Sequence, residues 1–423
     1  MVFLMPTAAF AVDIDISDAT TPDETAVNQT IAVFISSDAT VSVDYTIIDG
    51  TATDGVDYTA SSGTLNFTPG NTVQSINIPI LADDIDENIE TVIINLSNPV
   101  GGVIVDSQAT LYIVDDDPEP QISINDDNTT ETTGSFSLAA TLNNPSSKDI
   151  SVGWRAIGGT ATDGADFNSA QGTLNFPAGN TSQNISIPLL DDSMDEDNET
   201  IIVTLYEPVF ATLDNSTAVI TLQDDDAEPS ITAADITTTD ESVANITISL
   251  SAPSSRTVAV LATTSGITAT EGTDYTAVST NVQFAPGDTF TTLSIPLNDD
   301  TLDELNETFE VGFSNPSNAS IFDNSTIVTI TDNDLPPTIS ISGQTIVDDN
   351  GTLAPQVTLS AASGLTVEVD YATSNGTATA GNDYTSTNGT LTFTTGQTTL
   401  PLSIPILGDV VDEEDEIFSV TLS

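Results

Sequence analysis

Short stretches in which apolar and polar residues alternate recur along the whole chain. Two early examples are residues 12–17 (VDIDIS) and 41–46 (VSVDYT). Alternation of this kind places one face of a strand in a core and the other face in water. No segment keeps the 3.6-residue period of an amphipathic helix. The pattern therefore predicts an all-β chain of short antiparallel strands.

One octapeptide occurs four times and divides the chain into units. The copies are TATDGVDY from Thr51, TATDGADF from Thr160, TATEGTDY from Thr268 and TATAGNDY from Thr377, at spacings of 109, 108 and 109 residues. Repeats of this length suit sandwich domains of about 100 residues. We therefore expect tandem immunoglobulin-like antiparallel β-sandwiches with about seven strands each.

Proline-containing joints separate the units, and each joint follows an acidic triplet. The joints are PEP at 118–120, AEP at 227–229 and LPP at 335–337, which favour short, stiff linkers. The predicted repeats are residues 12–117, 118–226, 227–334 and 335–423, and the fourth is expected to stop before its last strand. Residues 1–11 are mostly apolar and contain Ala-Phe-Ala, so a signal-peptide remnant and a disordered N-terminus are both open.

The charge of the chain is extreme. Asp and Glu number 64 against 3 Lys and Arg, a formal charge of −61, while 38% of the residues are hydrophobic. The chain can build cores, but self-repulsion of this size destabilises a compact state, and external cations would offset it. A polyanion also repels nucleic acid and anionic membranes, so we expect neither nucleic-acid binding nor direct membrane insertion.

Cysteine and histidine are both absent. Their absence excludes thiolate and imidazole metal ligands and every Ser-His or Cys-His catalytic arrangement. Only oxygen ligands remain, and these suit hard cations such as Ca²⁺ or Mg²⁺.

Strand direction gathers the acids at one end of each unit. In an antiparallel sandwich with strands A to G, the A–B, C–D and E–F loops and the end of strand G share one end, here called the acidic pole. In the first unit the acids of these segments far outnumber those of the opposite end, which has only Asp38 and Asp106. The seven strands predicted there are residues 12–17, 30–36, 41–47, 63–67, 75–80, 91–97 and 109–114.

Two of the three basic residues, Lys148 and Arg256, fall in B–C loops. Strand direction makes each B–C loop face the acidic pole of the preceding unit, so an attraction between units is one interpretation. An ordinary exposed charge is the alternative.

The repeated motifs resemble those of Calx-beta domains, the calcium-binding modules of sodium/calcium exchangers that also occur in an integrin subunit and in large bacterial surface proteins. The matching elements are the octapeptide, the G-T-L-x-F strand, the D-D-x-x-x-E-x-x-E block before strand F, and the closing acidic triplet. The resemblance covers essentially the whole chain after Val12. It implies Ca²⁺ as the cofactor.

The resemblance also implies a ligand set in each repeat, taken from the A–B Glu, the Asp of the octapeptide, the E–F block and the closing triplet. These residues are Glu24, Asp57, Asp83, Glu87, Glu90, Asp115, Asp116 and Asp117 in repeat 1; Glu131, Asp166, Asp191, Asp192, Glu196, Glu199, Asp224, Asp225 and Asp226 in repeat 2; Glu241, Asp274, Asp299, Asp300, Glu304, Glu307, Asp332 and Asp334 in repeat 3; and Asp383, Asp409, Glu413 and Glu416 in repeat 4.

Repeat 4 departs from this pattern, with Asp348 and Asp349 in place of the A–B Glu, Gly408 in place of an Asp, and no triplet. We expect its site to be weak or incomplete. Within the octapeptide, Asp57 is interpreted as a ligand with turn capping as the alternative, and Tyr58 as a core aromatic.

The expected function is calcium binding that stiffens an extended, secreted or cell-surface array with an adhesive or spacer role, rather than catalysis. Its partners would be calcium ions, neighbouring repeats and a cell-surface protein or glycan. A regulatory calcium sensor of a membrane transporter or signalling protein is the alternative. A carboxylate-based glycoside hydrolase is disfavoured because the acids recur in every unit and aromatic residues make up only 5%. A cadherin-like or RTX-type adhesin lacks support because the G-G-x-G-x-D nonapeptide is absent.

Overall fold

The structure, a computed structural model, describes residues 11–131, 134–239, 243–347, 350–410 and 412–423. Over these ranges every regular element is a β-strand, which confirms the all-β prediction. No helix in the described ranges has the length and hydropathy needed to cross a bilayer. The chain forms two compact units, one of Met1–Asp192 with Asn198–Asp225 and one of Ser193–Asp197 with Asp226–Ser423.

The first repeat is a two-sheet sandwich. Its strands are β1 (Asp13–Ile16), β2 (Ala19–Thr20), β3 (Asn28–Ile35), β4 (Val41–Asp49), β5 (Ser62–Phe67), β6 (Val73–Pro79), β7 (Glu90–Val100), β8 (Val103–Ile104) and β9 (Gln108–Ile113). One sheet has the order β6-β3-β1-β8 and the other β2-β9-β7-β4-β5. Alternate residues such as Ile14, Val33, Ile76 and Leu111 are fully buried between the sheets, as the alternation predicts.

Strand A is divided between the two sheets, which the sequence pattern does not predict. β1 pairs with β3 in one sheet, and β2 pairs in parallel with β9 in the other. Asp18 lies between the two pieces and its Oδ1 accepts a hydrogen bond from the backbone N–H of Thr110, at 2.7 Å. The chain crosses from sheet to sheet at this point, so β1 lies between β3 and β8 in one sheet and β2 forms an edge of the other.

The second repeat has the same architecture. Its strands are β10 (Gln121–Ile124), β11 (Asp127–Thr130), β12 (Ser135–Leu142), β13 (Ile150–Gly158), β14 (Ala170–Phe176), β15 (Ser182–Pro188), β16 (Glu199–Val209), β17 (Thr212–Asn215) and β18 (Thr217–Gln223). The sheet orders are β15-β12-β10-β17 and β11-β18-β16-β13-β14. Phe167 of the octapeptide is fully buried in its core.

The third repeat follows the same plan within the second compact unit. Its strands are β19 (Ser230–Ala233), β20 (Ile236–Thr239), β21 (Val243–Leu250), β22 (Val258–Gly266), β23 (Ser279–Phe284), β24 (Phe290–Pro296), β25 (Glu307–Ser317), β26 (Ser320–Ile321) and β27 (Ser325–Thr331). The sheet orders are β24-β21-β19-β26 and β20-β27-β25-β22-β23. Tyr275 stacks on Phe309 in its core, with ring centroids 4.3 Å apart.

The fourth repeat has a less continuous core. Its strands are β28 (Ile339–Ile341), β29 (Gly351–Leu353), β30 (Gln356–Leu359), β31 (Val367–Asn375), β32 (Asn388–Phe393), β33 (Thr399–Pro401), β34 (Ile404–Ile406) and β35 (Phe418–Leu422). They form small sheets with the orders β28-β30-β33, β29-β34 and β32-β31-β35. The buried apolar residues fall into two clusters, one around Tyr384 and one around Phe393. β35 is an edge strand, whereas its counterpart β7 is covered on that side by β9.

The octapeptide forms a tight turn after the fourth strand of each repeat, which is β4 in repeat 1. Gly55 has a φ of 84°, and its N–H donates to the carbonyl oxygen of Tyr58 at 2.8 Å. The Tyr58 ring is fully buried, and its hydroxyl donates to Asp49 Oδ1 at 2.7 Å. These observations confirm the core aromatic that the sequence predicts, and Gly55 supplies the positive φ that the turn requires.

Replacing Gly55 by Ala tests this turn. A Cβ at position 55 has open space but a backbone conformation that L-residues avoid, so Gly55→Ala is expected to destabilise the first repeat by about 1 kcal/mol. Thermal unfolding of the full chain measures the change. Gly343→Ala is the control, because a Cβ there also meets nothing within 4 Å and no positive φ is involved. Equal effects of the two substitutions would contradict this account.

Candidate metal centre

The first repeat brings carboxylates from four separate segments to one end. Oxygens of Glu24, Asp83 and Asp117 lie within 4.8 Å of one another, and so do oxygens of Asp57, Glu87 and Glu90. These side chains come from the loop after β2, the β4–β5 loop, the β6–β7 segment including the first residue of β7, and the segment after β9. The acidic pole expected from strand direction is therefore present in the fold.

Backbone contacts fix the A–B loop beside the end of strand G. The Thr21 N–H donates to the carbonyl oxygen of Tyr112 at 2.8 Å, and the Val114 N–H donates to Thr21 Oγ1 at 2.9 Å. Glu24 follows Thr21, and the closing triplet follows Val114. Two segments almost a hundred residues apart in sequence are thus held together before any cation is considered.

A pair of threonines fixes the C–D loop beside the start of β7. The Thr51 N–H donates to Thr91 Oγ1 at 3.0 Å, and the Thr91 N–H donates to Thr51 Oγ1 at 2.8 Å. This reciprocal contact, the threonine clasp, places the octapeptide next to Glu90. It was not predicted, although threonine opens each octapeptide and follows the last Glu of the E–F block in repeats 1 to 3.

Asp57 has the turn-capping role that the sequence left as an alternative, and it also belongs to an acid group. Its Oδ2 accepts a hydrogen bond from the Thr53 N–H at 2.6 Å, and its side chain is 8% exposed. Capping fixes the direction of the carboxylate toward Glu87 and Glu90. Asp49, by contrast, accepts hydrogen bonds from Tyr58 and from the Asp54 N–H, which is a structural role.

The acids of this pole resist ionisation together. Burial raises the pKa of Glu24 to about 7, and the charges of Glu87 and Asp115 add to the rise. Burial and the charge of Asp57 raise the pKa of Glu87 to about 7. Burial, followed by the contact with Asp57, raises the pKa of Glu90 to about 8. Three carboxyls thus favour the neutral form unless a positive charge joins them.

The donor chemistry fits a hard divalent cation. All the grouped ligand atoms are carboxylate oxygens, which Ca²⁺ takes in sets of 6–8. Glu90 Oε2 is buried and has no hydrogen-bond partner, and the same holds for Asp334 Oδ2 in repeat 3. A buried carboxylate oxygen without a partner is costly, and a bound cation would satisfy it.

Repeats 2 and 3 repeat this arrangement. In the first compact unit, carboxylate oxygens of Glu131 and Asp224 lie within 4.8 Å of each other, as do those of Asp166 and Glu199. The side chains of Glu131 and Asp166 are only 3% and 7% exposed.

In repeat 3 oxygens of Asp274, Glu304 and Glu307 lie within 4.8 Å of one another. Asp300 and Asp332 line the same small cavity. Burial and a hydrogen bond with Asp274 raise the pKa of Glu307 to about 7.

The remaining predicted ligands differ in exposure. Glu196, Asp226 and Asp334 are half-buried, and Asp383 of repeat 4 is half-buried where its Oδ2 accepts from the Thr379 N–H at 2.6 Å. Glu241, Asp348 and Asp349 lie outside the described residues. The exposed ones are Asp116, Asp191, Asp192, Asp225, Asp299, Asp409, Glu413 and Glu416. In repeat 4 Glu413 and Glu416 are exposed whereas their counterparts Glu87 and Glu90 are half-buried, which supports a weaker site there.

Lys148 contacts the acidic pole of repeat 1 within the first compact unit. Its Nζ lies 2.6 Å from Asp86 Oδ1 and 3.7 Å from Asp115 Oδ2, and its side chain is 14% exposed. In the second unit, Arg256 contacts Asp195. The attraction is therefore the correct interpretation of these two basic residues, and ordinary exposed charge is wrong. The importance of Asp86 and Asp195 was missed at the sequence level.

The fold and the acid groups together define a class, that of tandem β-sandwich repeats with a candidate cation site at one end. The family model of the Calx-beta domain matches residues 17–117, 115–226, 230–334 and 332–423. The chain belongs to the Calx-beta family of calcium-binding domains, which confirms the resemblance and the prediction that the chain is not an enzyme.

The relatives include sodium/calcium exchangers. The sodium/calcium exchanger Calx of Drosophila melanogaster is 31% identical over 183 residues, which is 42% of this chain and 19% of that protein. Sodium/calcium exchanger 1 of Canis lupus familiaris is 29% identical over 191 residues, 40% of this chain and 20% of that protein. The chain thus spans about a fifth of the length of these relatives.

Solved structures of calcium-binding domains also match. A crystal structure of CBD12 from CALX1.2 is 23% identical, covers 50% of this chain and all of that chain, and has a TM-score of 0.26. A crystal structure of the apo form of the Calx CBD1 domain is 30% identical, covers 26% of this chain and all of that chain, and has a TM-score of 0.24.

The raised pKa values predict how the metal-free protein responds to pH. Glu24, Glu87 and Glu90 have an ordinary pKa of 4.5 when unfolded and about 7 to 8 when folded. The folded state therefore binds more protons than the unfolded state between these values, and its stability falls as pH rises from about 4.5 to about 8.

Thermal unfolding of the metal-free full chain over this pH range measures the effect. The variant Glu90→Gln should show a shallower fall, because glutamine does not titrate. Stability that rises over the same range would contradict the pKa assignment.

Proposed function

We propose that the chain binds Ca²⁺ at the acidic poles of its repeats and that bound Ca²⁺ holds the pole segments of each sandwich together. The observation that supports this best is the meeting of Asp57, Glu87 and Glu90 within 4.8 Å, with burial raising the pKa of both glutamates. Groups placed so close repel one another by several kcal/mol when ionised, and a divalent cation reverses the sign of that interaction.

The residues proposed to hold the cation have distinct tasks. Glu24 and Asp83 approach from the A–B loop and the E–F block, and Asp117 approaches from the closing triplet. The closing triplet directly precedes the proline joint, so calcium bound there would tie the exit of each repeat to its sandwich. We propose that this stiffens a secreted or cell-surface array, which acts as a spacer or adhesive segment toward a cell-surface protein or glycan.

Calcium should stabilise the folded chain. A site at 100 times its dissociation constant contributes about 2.7 kcal/mol, because the cation binds the folded state only. We expect the melting temperature to rise with Ca²⁺ and to fall with chelator. Unchanged melting in both conditions would refute calcium binding.

Removal of one ligand locates the site. Glu90→Gln should weaken binding in repeat 1 by roughly tenfold or more, the loss typical of a disturbed metal site. Calorimetric titration of the full chain measures this as a weakened or missing class of sites. Asp106→Asn is the control, because it removes the same charge from an exposed position at the opposite end. Equal losses in the two variants would indicate only diffuse screening of the net charge.

The second candidate function is regulatory calcium sensing, which the similarity to sodium/calcium exchangers favours. The dissociation constant separates the two candidates. Intracellular sensors bind at about 10⁻⁷–10⁻⁵ M, whereas extracellular modules bind at about 10⁻⁴–10⁻³ M. We expect the weaker range for an extracellular array. Submicromolar binding in every complete repeat would favour the sensor.

A further inference from the structure

A buried contact joins repeats 1 and 2 inside the first compact unit. Asp86, in the β6–β7 segment of repeat 1, and Ser146, in the β12–β13 loop of repeat 2, are 3% and 2% exposed. Ser146 Oγ donates to Asp86 Oδ2 at 2.8 Å, and the Ser147 N–H donates to the carbonyl oxygen of Asp86 at 3.0 Å. One aspartate thus uses both its side chain and its backbone to contact the next repeat.

The same contact occurs twice in the second compact unit. Ser254 Oγ donates to Asp195 Oδ2 at 2.7 Å, and Ser363 Oγ donates to Asp303 Oδ2 at 3.2 Å. The backbone bond also recurs, from Gly364 N–H to the carbonyl oxygen of Asp303 at 3.1 Å. We call these Asp–Ser contacts the first, second and third latches, in chain order.

The latches differ in charge at the position two residues after the serine, and the third latch also has Gly364 where the first has Ser147. The position that differs in charge holds Lys148 in the first latch, Arg256 in the second and Leu365 in the third. Lys148 Nζ lies 2.6 Å from Asp86 and Arg256 contacts Asp195, whereas leucine brings no charge to Asp303.

The burial of the three latch aspartates differs in the same way as the charge beside them. Asp86 and Asp195 are buried, at 3% and 2% exposure, whereas Asp303 is only half-buried. Its hydrogen bond from Ser363 is also longer than the one from Ser146 to Asp86. A charge-assisted hydrogen bond in a partly buried place is about twice as strong as a neutral one. The third latch therefore has the weakest set of contacts.

We propose that the first and third latches dock consecutive repeats within their compact units and that the residue at positions 148 and 365 sets the fraction of molecules in which each of them is closed. The first latch, with Lys148, is open in a smaller fraction of molecules than the third latch, with Leu365. The proposal concerns these contacts and not the calcium ligands, since Asp86 and Asp303 lie outside the proposed ligand set. It makes the junction of repeats 3 and 4 a hinge in the chain.

The absence of cysteine in the sequence allows a direct test by single-molecule energy transfer. Dyes on Asn77→Cys and Ser186→Cys report on the first latch, and dyes on Ser294→Cys and Ser403→Cys report on the third. All four positions are exposed. The third latch should show a larger fraction of open molecules than the first in the full chain.

Exchange of the variable residue tests its role. Lys148→Leu should raise the open fraction of the first latch roughly tenfold, and Leu365→Lys should lower that of the third by a similar factor, because a charge-assisted bond contributes more than about 1.4 kcal/mol. Each variant introduces a residue that another repeat carries at the same place. Arg155→Leu is the control, since it removes a positive charge from an exposed position of repeat 2 outside the latch.

The outcomes separate this proposal from calcium binding. Both dye pairs are read with Ca²⁺ and with chelator, so a chain that fails to bind calcium still reports on its latches. Equal open fractions at the two latches, or an unchanged fraction after both exchanges, would overturn the proposal. So would a result in which Lys148→Leu strengthens calcium binding in repeat 1 but leaves the open fraction unchanged, because Lys148 would then act on the acidic pole alone.

Discussion

Repulsion among carboxylates held at one end of a sandwich is the constraint on which this structure depends. Two ionised groups 4 Å apart in a partly buried place repel by about 4 kcal/mol. Burial, with the charges of neighbouring acids adding to it, raises the pKa values of Glu24, Glu87 and Glu90 to about 7 or 8. With 3 basic residues against 64 acids, the chain has few internal charges with which to relieve this repulsion. A bound cation would relieve the repulsion, and carboxylate oxygens are ligands that suit Ca²⁺.

The acids stay together because the scaffold does not let them move apart. Asp57 is held by the N–H of Thr53, the octapeptide is held to β7 by the threonine clasp, and the A–B loop is held to the end of strand G through Thr21. The threonine clasp and the contacts of Thr21 join neutral groups, so they persist whatever the charge of the pole. A site whose ligands are preorganised in this way loses little conformational freedom when a cation binds.

Much of this organisation could be predicted from the sequence. The period of the octapeptide revealed the repeats, and strand direction alone placed the acids at one end and Lys148 opposite the pole of repeat 1. The division of strand A was not predictable, because residues 12–20 keep a plausible strand pattern on both sides of Asp18. The roles of Asp49 and Asp86 were also hidden, since an aspartate that accepts a hydrogen bond from tyrosine or serine looks in sequence like any other acid of the same loop.

The most direct measurement is a crystal structure of the chain grown with Ca²⁺, in which anomalous scattering locates the ions. The account predicts peaks between Glu24, Asp83 and Asp117 and between Asp57, Glu87 and Glu90 in repeat 1, with oxygen ligands at about 2.3–2.6 Å. Peaks only at crystal contacts or along the sandwich faces, with the acidic poles lacking any ion, would contradict it.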